Sequence, residues 1–338
     1  MRSKKLRLVC FLLLAAVVVT GEGCGAFIAR RIAQAPNSYP DWIAPKARVM
    51  LDFSSGFLTN FQSHYLEVGP PPARIRYRVV EPADYHLQVS ASNWIEDGEP
   101  QFTFKFTADV PGGTNPWTGR PRGTVILLHG YGVAQFAMAP WALRLAQEGW
   151  RCVLVDLRGH GKSTGKRIFF GLVETNDLTQ LLDQLDRDGR LVSPVTAVGE
   201  SYGAVIALRA QATEPRLRSV VAINPYASLS NAVVNIRRDY AAWLPGVFVR
   251  AGIKKLPALL GVPATELDTS TAIARHPFPA LFIAGADDKV SPVDEVHKLS
   301  ELAGPGSQLI VVPRATHESL TYFFDDLAPP IIAWLAKL

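Results

Sequence analysis

From Arg74 the chain alternates between apolar and polar positions. RIRYRVV sets Ile75, Tyr77 and Val79 on one face, and QFTFKFT does the same with Phe102, Phe104 and Phe106. A period of two marks a half-buried strand, so both segments predict antiparallel edge strands, with DYHLQVSASNW supplying another between them. At Gly123 the pattern changes. TVILLHG, RCVLVDL, VTAVG, SVVAIN, ALFIAG and QLIVVP are short apolar runs without alternation, as strands buried on both faces read. Helical segments fall between them, at about 140–148, at 173–188, after Ser201, near 293–303 and from about Leu327. Apolar strands alternating with helices predict an α/β fold, a mostly parallel, doubly wound sheet covered on both faces.

One crossover breaks the rhythm. Residues 225–279, between SVVAIN and ALFIAG, are too long for a connection and carry their own apolar run, AAWLPGVFVRAGIKKLPALLG. They predict a helical cap over the carboxyl edge of the sheet. Trp243 and Phe248 are its candidate pocket residues, and Arg237, Arg238, Lys254 and Lys255 are expected to face solvent or anionic lipid headgroups. Ahead of the body (74–338), residues 30–73 form a proline-rich extension with an amphipathic patch from Ala47 to Phe61 that reads as a helix. In residues 1–29, four basic residues (Arg2, Lys4, Lys5, Arg7) precede an uncharged run from Leu8 to Thr20 and the small-residue stretch GEGCGA. This is the pattern of a bacterial export signal, cleaved or retained as a membrane anchor, and it predicts a protein outside the cytoplasm or tethered to the membrane. Cys24 offers a lipidation site, but Gly21-Glu22-Gly23 before it fit that pattern poorly.

The formal charge of +5 changes little, since four of the positive charges lie in the basic flank and the body is close to neutral. That balance gives no reason to expect a nucleic-acid partner. The 3 cysteines are Cys10, Cys24 and Cys152, so no disulfide framework exists, and Cys152 reads as a small core residue.

Candidate chemistry centres on VTAVGESYGAVIALRA, residues 195–210, read as strand, tight turn and helix. Glycines on either side of Gly199-Glu200-Ser201-Tyr202-Gly203 permit a bend sharp enough to lift Ser201 clear of the sheet. A serine hydroxyl needs a base, and the base needs an orienting group. Of 7 histidines, only His317, in PRATHESL, follows the last predicted strand on a loop. The orienting carboxylate should follow the preceding strand, where GADDKVSP offers both Asp287 and Asp288. RGHGKS resembles the tail of a phosphate-binding loop, but Asp156 stands where that motif needs glycine. With no GxGxxG after a strand and no HExxH or CxxC, no cofactor or metal is implied.

From Gly123 to the carboxyl end, the ordered set HGYG, DLRGHGKS, GESYG, AGADDKVSP and PRATHESL resembles the α/β-hydrolase superfamily. Serine hydrolases with a short helical cap, such as monoacylglycerol lipase-like proteins and related esterases, are the most similar group. The resemblance implies the α/β-hydrolase fold with Ser201 as nucleophile and His317 as base. It favours Asp288 over Asp287, because Val290 and Pro292 then fall where the family's Asp-x-Val spacing puts them. It also implies an oxyanion hole built from the backbone N–H groups of Tyr131 and Tyr202. The expected reaction is cleavage of a carboxylic ester or thioester of an apolar acyl group, from a small-molecule or lipid substrate, through an acyl-enzyme. Acyl transfer by the same residues and a non-catalytic binding protein on the same fold are the alternatives.

Overall fold

The computed structural model describes residues 23–38, 49–52, 57–96, 99–110 and 119–338. Its strands are β1 (Val49–Asp52), β2 (Ser63–Val68), β3 (Ala73–Val80), β4 (His86–Glu96), β5 (Glu99–Asp109), β6 (Thr124–Leu128), β7 (Arg151–Asp156), β8 (Val195–Glu200), β9 (Leu217–Ile223), β10 (Leu281–Gly285) and β11 (Gln308–Val312). Its helices are α1 (Cys24–Ile32), α2 (Ala139–Gln147), α3 (Glu174–Arg187), α4 (Tyr202–Gln211), α5 (Leu229–Tyr240), α6 (Gly246–Leu260), α7 (Thr269–Arg275), α8 (Val293–Leu302) and α9 (Phe324–Leu335).

The apolar runs assemble one 8-stranded sheet in the order β11-β10-β9-β8-β6-β7-β3-β2. Strands β6 to β11 pair in parallel, and β3 and β2 add antiparallel to β7. Every residue of β6, β8 and β10 is buried. Alternate side chains feed two cores. Ile126, Leu128, Val153 and Ala197 pack with α3 and α4, whereas Val125, Leu127, Cys152 and Val198 pack with α2 and α9. Continuous apolar strands are what a sheet with two dry faces demands.

Three expectations need correction. The patch from Ala47 to Phe61 is not a helix where it is described: β1 pairs in parallel with β5, and Phe57–Asn60 is a 3-10 turn. Phe57 is buried there against the Phe106 ring, 5.4 Å away, so its apolar residues serve the hairpin instead of a helix face. RIRYRVV is not an edge strand, because β2, drawn from the stretch read as extension, pairs outside it. QFTFKFT lies in the middle of a separate 3-stranded sheet, β1-β5-β4.

Between β9 and β10 stand α5, α6 and α7. Asn231 and Asn235 of α5 donate to Glu295 and to the Val290 carbonyl at 2.8 and 3.1 Å, tying the insertion to the first turn of α8 and to the loop after β10. Helix α1 packs against α6 at contacts that need glycine: a Cβ on Gly252 would fall 2.4 Å from Ile28, and one on Gly25 would fall 2.9 Å from the Ala251 carbonyl oxygen. Part of the segment read as signal is therefore folded against the cap, while residues 1–22 lie outside the described residues. Among the described residues no helix is long and apolar enough to cross a membrane.

The small sheet lays one face on the turn preceding α9. Phe102 stacks on Phe323 at 5.5 Å, Phe104 meets Tyr322 at 5.0 Å, and Phe106 approaches Phe324 at 6.4 Å. Phe104 is fully buried, so Phe104→Ala should remove its transfer free energy and leave a cavity, about 3–5 kcal/mol in all. Urea denaturation of the variant measures this. A loss under about 1 kcal/mol would mean that the hairpin is dispensable to the body.

Candidate active site

Ser201 sits between β8 and α4 with φ 47° and ψ −107°, a backbone that non-glycine residues rarely adopt. The bend is possible because its flanks are bare. A Cβ on Gly199 would fall 2.4 Å from the Gly203 carbonyl oxygen, and one on Gly203 would fall 2.2 Å from that of Leu128. Two hydrogen bonds hold the strained residue: its N–H donates to the Ile223 carbonyl at 2.8 Å and to Asn224 Oδ1 at 3.0 Å.

His317 follows β11. Its Nε2 lies 2.9 Å from Ser201 Oγ, and its Nδ1 lies 2.8 Å from Asp288 Oδ2. Because an ionised carboxylate only accepts, Nδ1 carries the proton and Nε2 is left to accept from the serine hydroxyl. Asp288 is buried, and its other oxygen accepts the N–H groups of Val290 and Ser291 at 2.8 and 2.7 Å. Asp287 is exposed, with its N–H donating to the Ala315 carbonyl. Of the acidic pair, the structure brings Asp288 to the histidine. The loops after β10 and β11 can approach because Gly285 has no Cβ, which would fall 2.4 Å from the Ala315 carbonyl oxygen.

Tyr131 and Tyr202 meet edge to face, 6.5 Å between ring centroids, where the loop after β6 faces the start of α4. The Tyr202 N–H opens that helix, among the amides that a helix leaves without an intrahelical acceptor. Its hydroxyl is used elsewhere, donating to buried Glu174 at 2.9 Å. His129 and His160 brace this corner as neutral rings. Burial pushes His129 down to about 4, and burial followed by the His129 charge pushes His160 down to about 3. His129 Nε2 accepts the Leu157 N–H at 3.0 Å, which leaves Nδ1 to donate to the Gly130 carbonyl at 2.8 Å. The RGHGKS loop closes on itself, with the Lys162 and Gln135 N–H groups both donating to Asp156. Of the two candidate pocket residues, Trp243 is 43% exposed and Phe248 is half-buried. Neither stacks on the Tyr131–Tyr202 pair among the described ring contacts. Among the described residues no group of three or more His, Cys, Asp and Glu is placed to hold a metal ion.

Two residues of the site escaped the sequence reading. Asn224, fully buried at φ 42°, accepts from the Ser201 N–H and donates through Nδ2 to the His317 carbonyl at 2.6 Å, so one amide spans both loops. Its only signal was a polar residue ending an apolar strand. Glu200, inside the serine motif, is buried with Oε2 lacking a hydrogen-bond partner. A Cβ on Gly130 would lie 3.4 Å from its carboxyl carbon, so it stands directly beneath the loop after β6. Burial raises the Glu200 carboxyl to about 7 against the opposing pull of His317, Thr321 and Gly130. For His317, burial disfavours the charged ring most strongly, but Asp288, Glu200 and Asp239 together outweigh it and the net shift is upward.

A sequence profile described as serine aminopeptidase, S33, matches residues 119–274. The chain is 26% identical over 199 residues to protein YqkD of Bacillus subtilis, a match that covers 57% of this chain and 64% of that protein's length. It is 26% identical over 254 residues to a pimeloyl-[acyl-carrier protein] methyl ester esterase of Xanthomonas campestris, covering 63% of this chain and 95% of the relative. The solved Pyrococcus furiosus esterase Pf2001 superposes with a TM-score of 0.59 at 21% identity, over 87% of this chain and 99% of that one. A likeness at that identity speaks for the fold.

The Glu200 shift has a consequence for stability. Its folded-state value of about 7 lies above the ordinary 4.5, so between these values the folded chain holds a proton that the unfolded chain has released. Stability therefore falls as pH rises through this window, by on the order of 3 kcal/mol once Glu200 is ionised. Glu200→Gln, which cannot ionise, should gain stability relative to the parent at about pH 8 and lose most of that advantage at about pH 5. Paired urea titrations at the two pH values check this. A gap of equal size at both would show that the carboxyl ionises freely.

Proposed function

We propose that the chain is a serine hydrolase of the α/β-hydrolase type that cleaves carboxylic esters of apolar acyl groups through an acyl-enzyme on Ser201, a reading supported by the matching profile, the esterase relative and the shared fold. The observation that carries this reading is the unbroken relay from Ser201 Oγ to His317 at 2.9 Å and on to Asp288 at 2.8 Å. In the first half-reaction Ser201 Oγ attacks the ester carbonyl carbon while His317 Nε2 takes the hydroxyl proton. The imidazolium so formed faces Asp288, whose charge is secured by two backbone N–H donors. In this reading the tetrahedral oxygen accepts from the backbone N–H groups of Tyr202 and Tyr131. His317 then hands its proton to the departing alcohol. Water attacks the acyl-enzyme by the same steps, releasing the acid and restoring Ser201.

Support for an ester in place of an amide comes from the Xanthomonas relative, which is a methyl ester esterase, and the apolar cap suits an acyl chain. Aminoacyl amides serve as the competing substrate, since the matching profile bears an aminopeptidase description.

Ser201→Ala should abolish labelling by a fluorophosphonate and lower ester turnover by roughly 10⁴-fold or more, with the unfolding midpoint kept near the parent's. Ester turnover that persists in the variant would refute the nucleophile. Across p-nitrophenyl esters of graded length, kcat/KM should exceed that for the matching aminoacyl anilides, and the reverse order would make the protein an amidase.

Asp288→Asn should cost about 10⁴-fold in kcat, because the amide would hold the imidazole in the wrong tautomer, whereas Asp287→Asn should cost less than about threefold. Steady-state kinetics of both variants decide the matter, and comparable losses would reassign the orienting role.

A further inference from the structure

Helices α1 and α6 lie side by side and run in the same direction. Gly25 contacts Ala251, Ile28 and Ala29 contact Gly252, and farther along Gln34 bridges to Arg167, whose guanidinium donates to the Leu259 carbonyl. The amino-terminal end of α1 therefore stands beside the amino-terminal end of α6. There α6 meets α5 in a corner closed by Arg237, which donates to the carbonyls of Ala242 and Leu244.

The surface of this corner is unusual. Ile236, Trp243 and Val247 expose 41%, 43% and 58% of their area. Arg238 and Arg250 are exposed around them, and Lys254 and Lys255 continue the charge along α6. Neither α1 nor α6 contains an acidic residue. The only acid from 229 to 260 is Asp239, which is half-buried and within electrostatic reach of His317. The chain that joins the corner at Gly23 comes from the four basic residues and the apolar run from Leu8 to Thr20.

We propose that this corner of the insertion docks on an anionic lipid surface and so turns α5 and α6 toward the bilayer. An exposed tryptophan among aliphatic residues suits the boundary between headgroups and acyl chains, and a basic rim whose one acid from 229 to 260, Asp239, is half-buried suits anionic headgroups. A second copy of the chain is a poorer occupant, because a symmetric contact here would set like charges against one another. Asp239, at this same end of α5, is within electrostatic reach of His317, so docking brings the Ser201–His317 site near a source of apolar esters. The docking surface stands apart from the catalytic reading and can hold whether or not Ser201 is acylated.

The test uses the full chain and vesicles of phosphatidylglycerol with phosphatidylcholine brominated on its acyl chains. Tryptophan emission should be quenched on binding, and most of that quenching should vanish in Trp243→Phe. Replacing Arg250 and Lys254 together (Arg250→Glu, Lys254→Glu) should weaken binding to these vesicles by about tenfold or more, with the thermal midpoint unchanged. Raising the salt should do the same to the parent protein. Three results would overturn the proposal. One is no vesicle binding, another is quenching equal in the parent and Trp243→Phe, and the third is binding indifferent to charge reversal, which would leave the upstream chain as the sole contact. If fluorophosphonate labelling fails while the Trp243 quenching holds, the hydrolase reading falls and the docking surface stands.

Discussion

The site depends on how closely the turn after β8 approaches its neighbours. A side chain on Gly203 would collide with the backbone of β6, and one on Gly199 with Gly203 itself, so the strand can reverse into α4 only through bare backbone. That leaves Ser201 at positive φ, a conformation that costs on the order of 1–3 kcal/mol and persists only where the surroundings hold it. They do so from the side away from the glycines. The Ser201 N–H is shared between the end of β9 and Asn224, and Asn224 in turn grips the backbone of His317. Ser201 and His317 are thus referred to one strand end, which can hold a 2.9 Å contact between loops 116 residues apart.

The carboxylates around His317 show how donor count sorts roles within one small volume. Asp288 is buried, and two backbone N–H groups and the imidazole supply its carboxyl oxygens with donors. Glu200 is buried as well, but one of its oxygens has no hydrogen-bond partner, and burial lifts it toward neutrality. When Glu200 ionises, its charge favours the imidazolium, while the fold bears the cost of an ill-solvated carboxylate. Stability is sacrificed on the other flank too. His129 and His160, buried neutral beneath the loop after β6, become liabilities as pH falls below about 6.5, where the unfolded chain takes up protons that they refuse.

The parallel strands and the positions of Ser201 and His317 were legible in the sequence because their signals are local, whereas Asp288 was preferred to Asp287 only through the family resemblance. A run such as TVILL can only be a strand with two dry faces, and Ser201 and His317 announce themselves by glycine spacing and loop position. What stayed hidden is non-local. Nothing in Val49–Asp52 tells that it will pair in parallel with β5, some fifty residues on, and nothing in RIRYRVV tells that it will lie between β2 and the distant β7. Asn224 gains its meaning only when the ends of β9, β10 and β11 lie side by side. The cap was legible as helices, but apolarity alone did not separate Leu256, sealed beneath α1, from Trp243, left in the open.

Helix α1 shows why a terminal segment should be judged by its contacts. Its sequence, CGAFIARRI, continues the small-residue stretch after the apolar run and reads as the tail of an export signal. Yet Ala29 and Ala33 are buried, and Gly25 against Ala251 and Gly252 against Ile28 bring the two helices closer than any larger residue at those positions would allow. Such an approach exposes Gly252 and its neighbours if the partner leaves, so the cap needs α1 as much as it needs the asparagine ties from α5 to the first turn of α8 and to the loop after β10. Cleavage anywhere within 24–32 would strip one wall of the cap, whereas processing upstream of Gly23 would leave it whole. The helix that packs on α6 therefore limits where the amino terminus can be processed without disturbing the insertion between β9 and β10.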